Sequence, residues 1–343
     1  MSDLWLHGLG QISTGDSGVI PIAGLTPIIA SDEIKGIGLP FAHRSLGTLS
    51  DRRGVNHYHD GKIYVPYSSG VTIYDAKTGE IIADNVHSVS YMTPDLADTD
   101  GSYYVVYNTT LYKYTLNGDL IWETPIGGST RSIASDATGV YVGYYNYYDY
   151  YNCKITKYNR TSGSTIWTSS DLNSSNSYID ALAVNSNAVI VATGNYRIHR
   201  LYPSSGSTVY TYNMPGSYSA NALAIEPGTN HFYSAVGSTL RKHSYQTGEP
   251  IFERSSTNIA SIYNLFIDSE NNIYTVSNRE ITKLDNQLAG FIWREDHNIN
   301  GNPINGFGLD KEQGKSMCCA SIQPAFYLPI KSGRILSPIN LKV

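Results

Sequence analysis

Charge is scarce in this sequence. Asp, Glu, Lys and Arg make up 15% of its 343 residues, and the formal net charge is -5. The longest basic runs are pairs such as Arg52-Arg53, so the electrostatic footprint that nucleic acid demands is missing and no nucleic-acid partner is expected. Cysteine is nearly absent. Cys153, Cys318 and Cys319 do not make a disulfide framework and point to folding in a reducing compartment. Long apolar runs are missing too. The most apolar stretch, VIPIAGLTPIIA at 19–30, is 12 residues broken by Pro21 and Pro27, too short to cross a bilayer. The first residues, MSDLWLHGLG, carry no basic region ahead of an apolar one, so no secretory signal is read and synthesis in the cytoplasm is expected. The sequence holds no phosphate loop, no G-x-S-x-G elbow and no H-E-x-x-H helix. A non-enzymatic protein is therefore expected, with no catalytic residue, cofactor or metal assigned.

Tyrosine and glycine are abundant, at 29 and 31 residues, amid Thr, Val, Ile and Ser. This is the composition of strands and turns. It is also periodic. The strings TIYDAKTGEIIAD, YKYTLNGDLIWE, TKYNRTSGSTIWTS, HRLYPSSGSTVYTY, RKHSYQTGEPIFER and TKLDNQLAGFIWRED share a turn glycine, at Gly79, Gly118, Gly163, Gly206, Gly248 and Gly290. An apolar pair follows each glycine: Ile81-Ile82, Ile121-Trp122, Ile166-Trp167, Val209-Tyr210, Ile251-Phe252 and Ile292-Trp293. Upstream, second strands align as KIYVPY, SYYVVY, GVYVGY, AVIVAT, HFYSAV and NIYTVS, and first strands as VNHYHD, DLADTD, SIASDA, DALAVN, NALAIE and NLFIDS. Four short antiparallel strands in each repeat of about 40 residues are the signature of a β-propeller blade. The expected fold is all-β, a single propeller over 51–343. Seven four-stranded blades are expected, at about 54–84, 95–123, 132–169, 180–212, 220–254, 262–296 and 303–343, the alternative being six plus a cap. Residues 1–50 are expected to form an irregular N-terminal arm that closes an edge of the propeller or contacts an assembly.

Strings such as IYDAKTGEII and YNRTSGSTIW resemble the quinoprotein-like repeat family across residues 54–296. The shared pattern is a Thr/Ser-Gly turn before an apolar-aromatic pair. Gly supplies the positive φ of a tight hairpin, and the aromatic packs between blades. Trp-Asp and double-glycine propeller repeats fit less well. Quinoprotein dehydrogenases bind a quinone and calcium on the axis, and some carry a disulfide between adjacent cysteines. Cys318-Cys319 invites that comparison. Against it, the pair falls in what reads as a strand of the last, irregular blade, and no metal cluster of Glu, Asn and Asp is evident. Two small residues of a buried strand are the expectation. His57 and His59, in HYHD, share one face of a strand without an evident third metal ligand. DLADTDG at 95–101 lacks the calcium-loop spacing and its terminal Glu.

Two features remain. The arm, with eight Gly and three Pro in 1–50, is too apolar for a disordered tail. Trp5, Ile20, Ile22, Leu25, Ile28 and Ile29 are its candidate assembly contacts. The stretch YYNYYDYY at 144–151 is the other. From Tyr141 to Gly163 is 22 residues, where the sibling repeats count 14–17, so the third blade carries an insertion in its second-to-third-strand hairpin. Tyr144, Tyr145, Tyr147, Tyr148, Tyr150 and Tyr151 are candidate binding residues, on the face that also carries the inter-blade links. The alternative is a longer hairpin whose tyrosines cover one another. The expectation is a structural and interaction propeller that contacts other protein subunits in a large assembly and conceivably a surface glycan. A bacteriophage virion component of tail, neck or head decoration fits this type of composition; a cellular scaffold or carbohydrate-binding propeller is the alternative, and a quinone-dependent enzyme stands third.

Overall fold

A computed structural model describes residues 57–67, 69–75, 80–146, 152–172, 177–216, 219–255, 261–267, 271–277, 280–285 and 291–296, together with short strands within 4–19 and 304–335. Six sheets of four consecutive antiparallel strands dominate it. Blade 1 comprises His57–His59, Lys62–Tyr67, Gly70–Asp75 and Ile81–Val86. Blade 2 comprises Tyr91–Pro94, Tyr103–Tyr107, Thr110–Tyr114 and Leu120–Pro125. Blade 3 comprises Ser129–Asp136, Gly139–Asn146, Asn152–Tyr158 and Thr165–Thr168, and blade 4 Ile179–Asn185, Ala188–Thr193, Arg197–Leu201 and Thr208–Asn213. Blade 5 comprises Ala222–Ile225, His231–Val236, Thr239–Ser244 and Pro250–Ser255, and blade 6 Ile262–Ile267, Ile273–Ser277, Glu280–Leu284 and Phe291–Asp296. The first strand of each blade lies against the first strand of the next, so these strands line the axis and the fourth strands form the rim. The structure is a β-propeller.

Burial follows that order. The second strand of blade 4, Ala188–Thr193, is buried at every position because both faces are covered by neighbouring blades. The fourth strand of blade 2 is exposed or half-buried throughout. Among the described residues, five apolar clusters each straddle two consecutive blades, from 1–2 to 5–6. Tyr64, Tyr103, Tyr104, Tyr141, Tyr233 and Tyr274 are among its largest fully buried side chains. Among the described residues, ten tyrosines are buried in the core.

Three expectations need correction. Seven four-stranded blades are not observed: there are six, and Ile304–Asp310, Lys315–Ala320 and Phe326–Leu328 form a sheet of three strands. Its first strand lies against the first strand of blade 1 and the second of blade 6, in line with the alternative of six blades plus a cap. DLADTD is not the first strand of blade 2. That strand is Tyr91–Pro94, and Asp95 and Asp98 cap the turn beyond it by accepting hydrogen bonds from the Ala97, Asp100 and Ser102 amides. Finally, the pairing of third with fourth strand slips by one residue in all six blades, leaving Ile82, Ile121, Ile166, Val209, Ile251 or Ile292 unpaired. In blade 1 the repeat pair is therefore Ile82-Ala83, one residue later than Ile81-Ile82, and Ala83 takes the aromatic position. Within the N-terminal segment, Leu4–Leu6 pairs with Gly10–Ile12 and Thr14–Gly15 with Gly18–Val19.

Candidate functional site

The bulge explains how adjacent blades are joined. It sets the repeat aromatic directly opposite a third-strand cation: Trp122 with Lys113, Trp167 with Lys157, Tyr210 with Arg200, Phe252 with Lys242 and Trp293 with Lys283. In blades 2 and 3 cation and aromatic then reach into the next blade together. Lys113 Nζ and Trp122 Nε1 both donate to Arg160 O, at 3.0 and 3.3 Å. Lys157 Nζ and Trp167 Nε1 both donate to Pro203 O, at 3.3 and 2.9 Å. Arg200 Nη1 donates to Tyr245 O at 3.0 Å. Each acceptor stands three residues before a repeat glycine. The glycine itself lies under the aromatic ring, and a Cβ on Gly163 would stand 2.6 Å from Trp122 Cε3. Blade 1, with Ala83 in the aromatic position, makes its joint differently: Asn85 Nδ2 donates to Leu116 O at 2.8 Å.

Within blades 2, 3, 5 and 6 the cation sits over a second-strand tyrosine, whereas Arg200 of blade 4 lies over Tyr245 of blade 5. Lys113, Lys157, Lys242 and Lys283 lie 5.0–5.4 Å from the ring centroids of Tyr104, Tyr141, Tyr233 and Tyr274. Among the described residues, a carboxylate bonds the cation directly in two of these groups. Asp95, fully buried, accepts from Lys113 at 2.7 Å and from Arg160 of the next blade at 3.3 Å. Burial alone would raise its carboxyl, but the Lys113 hydrogen bond and charge more than offset this and hold it below its ordinary value. Glu226 accepts from Thr229, His231, Tyr233 and Lys242, and the Thr229 and Lys242 bonds likewise outweigh burial and hold it low. The acidic run at 95–101 is thus largely structural. Sequence reasoning missed these groups because lysine reads as surface. The available signal was the recurrence of Lys or Arg five to seven residues before five of the six repeat glycines, Gly79 being the exception.

Blade 3 departs from its siblings. Its second and third strands run to eight and seven residues, and residues 147–151 connect them. The corresponding connections of the other blades span two or three residues. The expected insertion is present. Tyr144 is buried, on the blade 2 side, in contact with Gly127, where an added Cβ would stand 2.9 Å from its ring. Tyr145 is half-buried on the blade 4 side, edge-on to Tyr178 at 4.7 Å. Arg131 stacks on Tyr178, its guanidinium carbon 3.6 Å from the ring centroid and 5.7 Å from that of Tyr145. The base of the hairpin therefore adjoins the link between blades 3 and 4, on the expected face. Tyr147, Tyr148, Tyr150 and Tyr151 lie outside the described residues.

Beside the hairpin base, a groove of about 430 Å³ runs between blades 3 and 4. Asn152, Asp171 and Leu172 line it from blade 3, and Arg197, His199, Thr208 and Thr211 from blade 4. His199 is buried between Thr211, whose Oγ1 lies 2.9 Å from Nδ1, and Thr193. Burial, then the Arg197 charge, lowers its imidazole to about 4, so it is neutral near pH 7. Cys153, behind the groove wall, donates to Ser177 O. Burial, with Asp180 and Asp171 adding, pushes its thiol up to about 12, which makes it unreactive.

His57 and His59 both lie in the first strand of blade 1, and His59 Nε2 bonds Asp98 O at 3.0 Å. Among the described residues, no group of three or more His, Cys, Asp and Glu is placed to hold a metal ion. Cys318 and Cys319 are consecutive in the second strand of the three-stranded sheet. Of the arm contacts, Trp5 is placed only as the strand partner of Gln11, and Ile20, Ile22, Leu25, Ile28 and Ile29 lie outside the described residues. No described helix is long and apolar enough to cross a membrane.

Compared with known proteins, the chain matches no family model, and no curated sequence is significantly similar to it. The class defined by the structure is the β-propeller. The quinoprotein-like resemblance gains no support from these comparisons.

Proposed function

We propose that this propeller is a non-enzymatic recognition and assembly module that meets its partner on the seam of blades 3 and 4. The carrying observation is the hairpin over 139–158. One blade of six lengthens two strands and places a five-residue, mostly tyrosine connection at one end, where the other blades turn in two or three residues. A feature present once cannot serve the repeated packing, and tyrosine gives a large contact area at low conformational cost. The buried cations and carboxylates also have an evident occupation, since they tie blade 2 to 3, 3 to 4 and 4 to 5 or pair within blades 2 and 5. The setting we propose is a bacteriophage virion, where a rigid propeller with an apolar arm is held among other subunits and faces the host surface. Density-gradient sedimentation of a lysate from the source tests this: the protein is expected to travel with particles. Recovery only as a free monomer in the soluble fraction overturns the virion setting.

A further inference from the structure

We propose that the groove between blades 3 and 4 is a carbohydrate-binding subsite. This rests on, and deepens, the recognition reading of the same seam. The argument begins with unspent hydrogen-bonding capacity. Arg197 gives its Nε to Asn213 Oδ1 at 3.1 Å, while its two terminal nitrogens take no acceptor among the described residues. The side chains of Asn152 and Thr208 likewise have no described partner, and both line the groove. Asp171, exposed, is held loosely by Lys154 at 3.6 Å.

The mixture of groups decides the ligand class. An anion site would be lined by donors alone. Here Arg197 and Asn152 donate, Asp171 and the Asn152 carbonyl accept, and the Thr208 hydroxyl does both. Sugar hydroxyls each donate and accept, and an adjacent pair matches the fork of a guanidinium or the two oxygens of a carboxylate. The groove volume of about 430 Å³ falls within the usual range for small-molecule sites, roughly 300–1,000 Å³. Leu172 supplies an apolar patch of wall.

A further feature lies in the turn that leads into Arg197. Tyr196, immediately before Arg197, is exposed and adopts a φ of 64°, in the left-handed region. For a bulky residue this conformation costs on the order of 1–3 kcal/mol, and such strain concentrates at ligand clamps. The exposed ring is one residue along the chain from Arg197, and aromatic rings suit the C–H faces of sugars.

The test is saturation-transfer difference NMR on the full chain, with free hexoses, N-acetylhexosamines and hexuronates as probes. At least one sugar class should receive saturation, and its affinity should fall at least tenfold in both Arg197→Ala and Tyr196→Ser. A Tyr107→Ser control, at an exposed residue of blade 2, should bind as wild type. Thermal unfolding of each variant checks the fold, and Arg197→Lys, which keeps the charge but loses the fork, should also weaken binding. No transfer to any sugar class overturns the inference, as does binding unchanged in folded Arg197→Ala and Tyr196→Ser. If sugars fail while serine substitutions in the Tyr hairpin still abolish particle association, the sugar inference falls and the recognition reading stands.

Discussion

At single residues, position in the joint predicts cost. Gly163 has a φ of 70° and lies under the Trp122 ring, so Gly163→Ala meets both backbone strain and a clash. A loss of about 2–4 kcal/mol is expected by urea denaturation. Gly228 has a similar φ of 69° but open space around it, so Gly228→Ala should cost only about 1 kcal/mol. Equal costs would show that the ring contact contributes nothing. Lys113→Ala leaves the buried Asp95 carboxylate with the partly exposed Arg160 as its remaining cation, and a loss of about 3–5 kcal/mol is expected. Two buried imidazoles predict the pH dependence. Burial lowers both His199 and His243 from 6.5 to about 4. Between those values the unfolded chain binds the more protons, so their contribution is complete above about pH 6.5 and is lost as pH falls towards 4. The urea midpoint should drop between pH 7 and pH 4.5, and part of that drop should disappear in His243→Asn. A midpoint independent of pH across this window would contradict the assigned burial.

Among the elements, the hairpin of blade 3 separates recognition from packing. Replacing 147–151 with an Asn-Gly turn should leave the melting temperature within a few degrees of wild type, because the strands below are anchored by Tyr144 and Tyr145. A collapse of the fold would mean that the tip is structural. The hairpin was legible in the sequence as a spacing anomaly, and so were the blades, through the repeat glycines and the aromatics after them. Much of the joint was not. Ile81 and Ile82 are equally apolar, so only the bulge reveals that Ile82-Ala83 is the repeat pair. Lys113 looks like a surface residue until Asp95 and the Arg160 carbonyl are seen around it. The groove was invisible for a different reason. Asn152, Asp171 and Arg197 come from two blades and carry no sequence spacing of their own.

Across the whole molecule, six four-stranded blades and a sheet of three strands form the ring. The sequence overcounted the four-stranded blades because strand-like segments after residue 303 resemble the repeats in composition, although the turn glycine and aromatic pair stop with blade 6. Since the three-stranded sheet touches both blade 1 and blade 6, deleting 297–343 uncovers two blade faces. Lower melting temperature and aggregation are expected by thermal scattering; an unchanged melting temperature would show that the ring does not depend on the cap. The central claim is that this propeller recognises a partner through one seam. The most direct measurement compares particle association of the wild-type chain with that of a variant carrying serine at Tyr147, Tyr148, Tyr150 and Tyr151, with both melting temperatures recorded. The account predicts an unchanged melting temperature and loss of association; full association of the folded variant would contradict it.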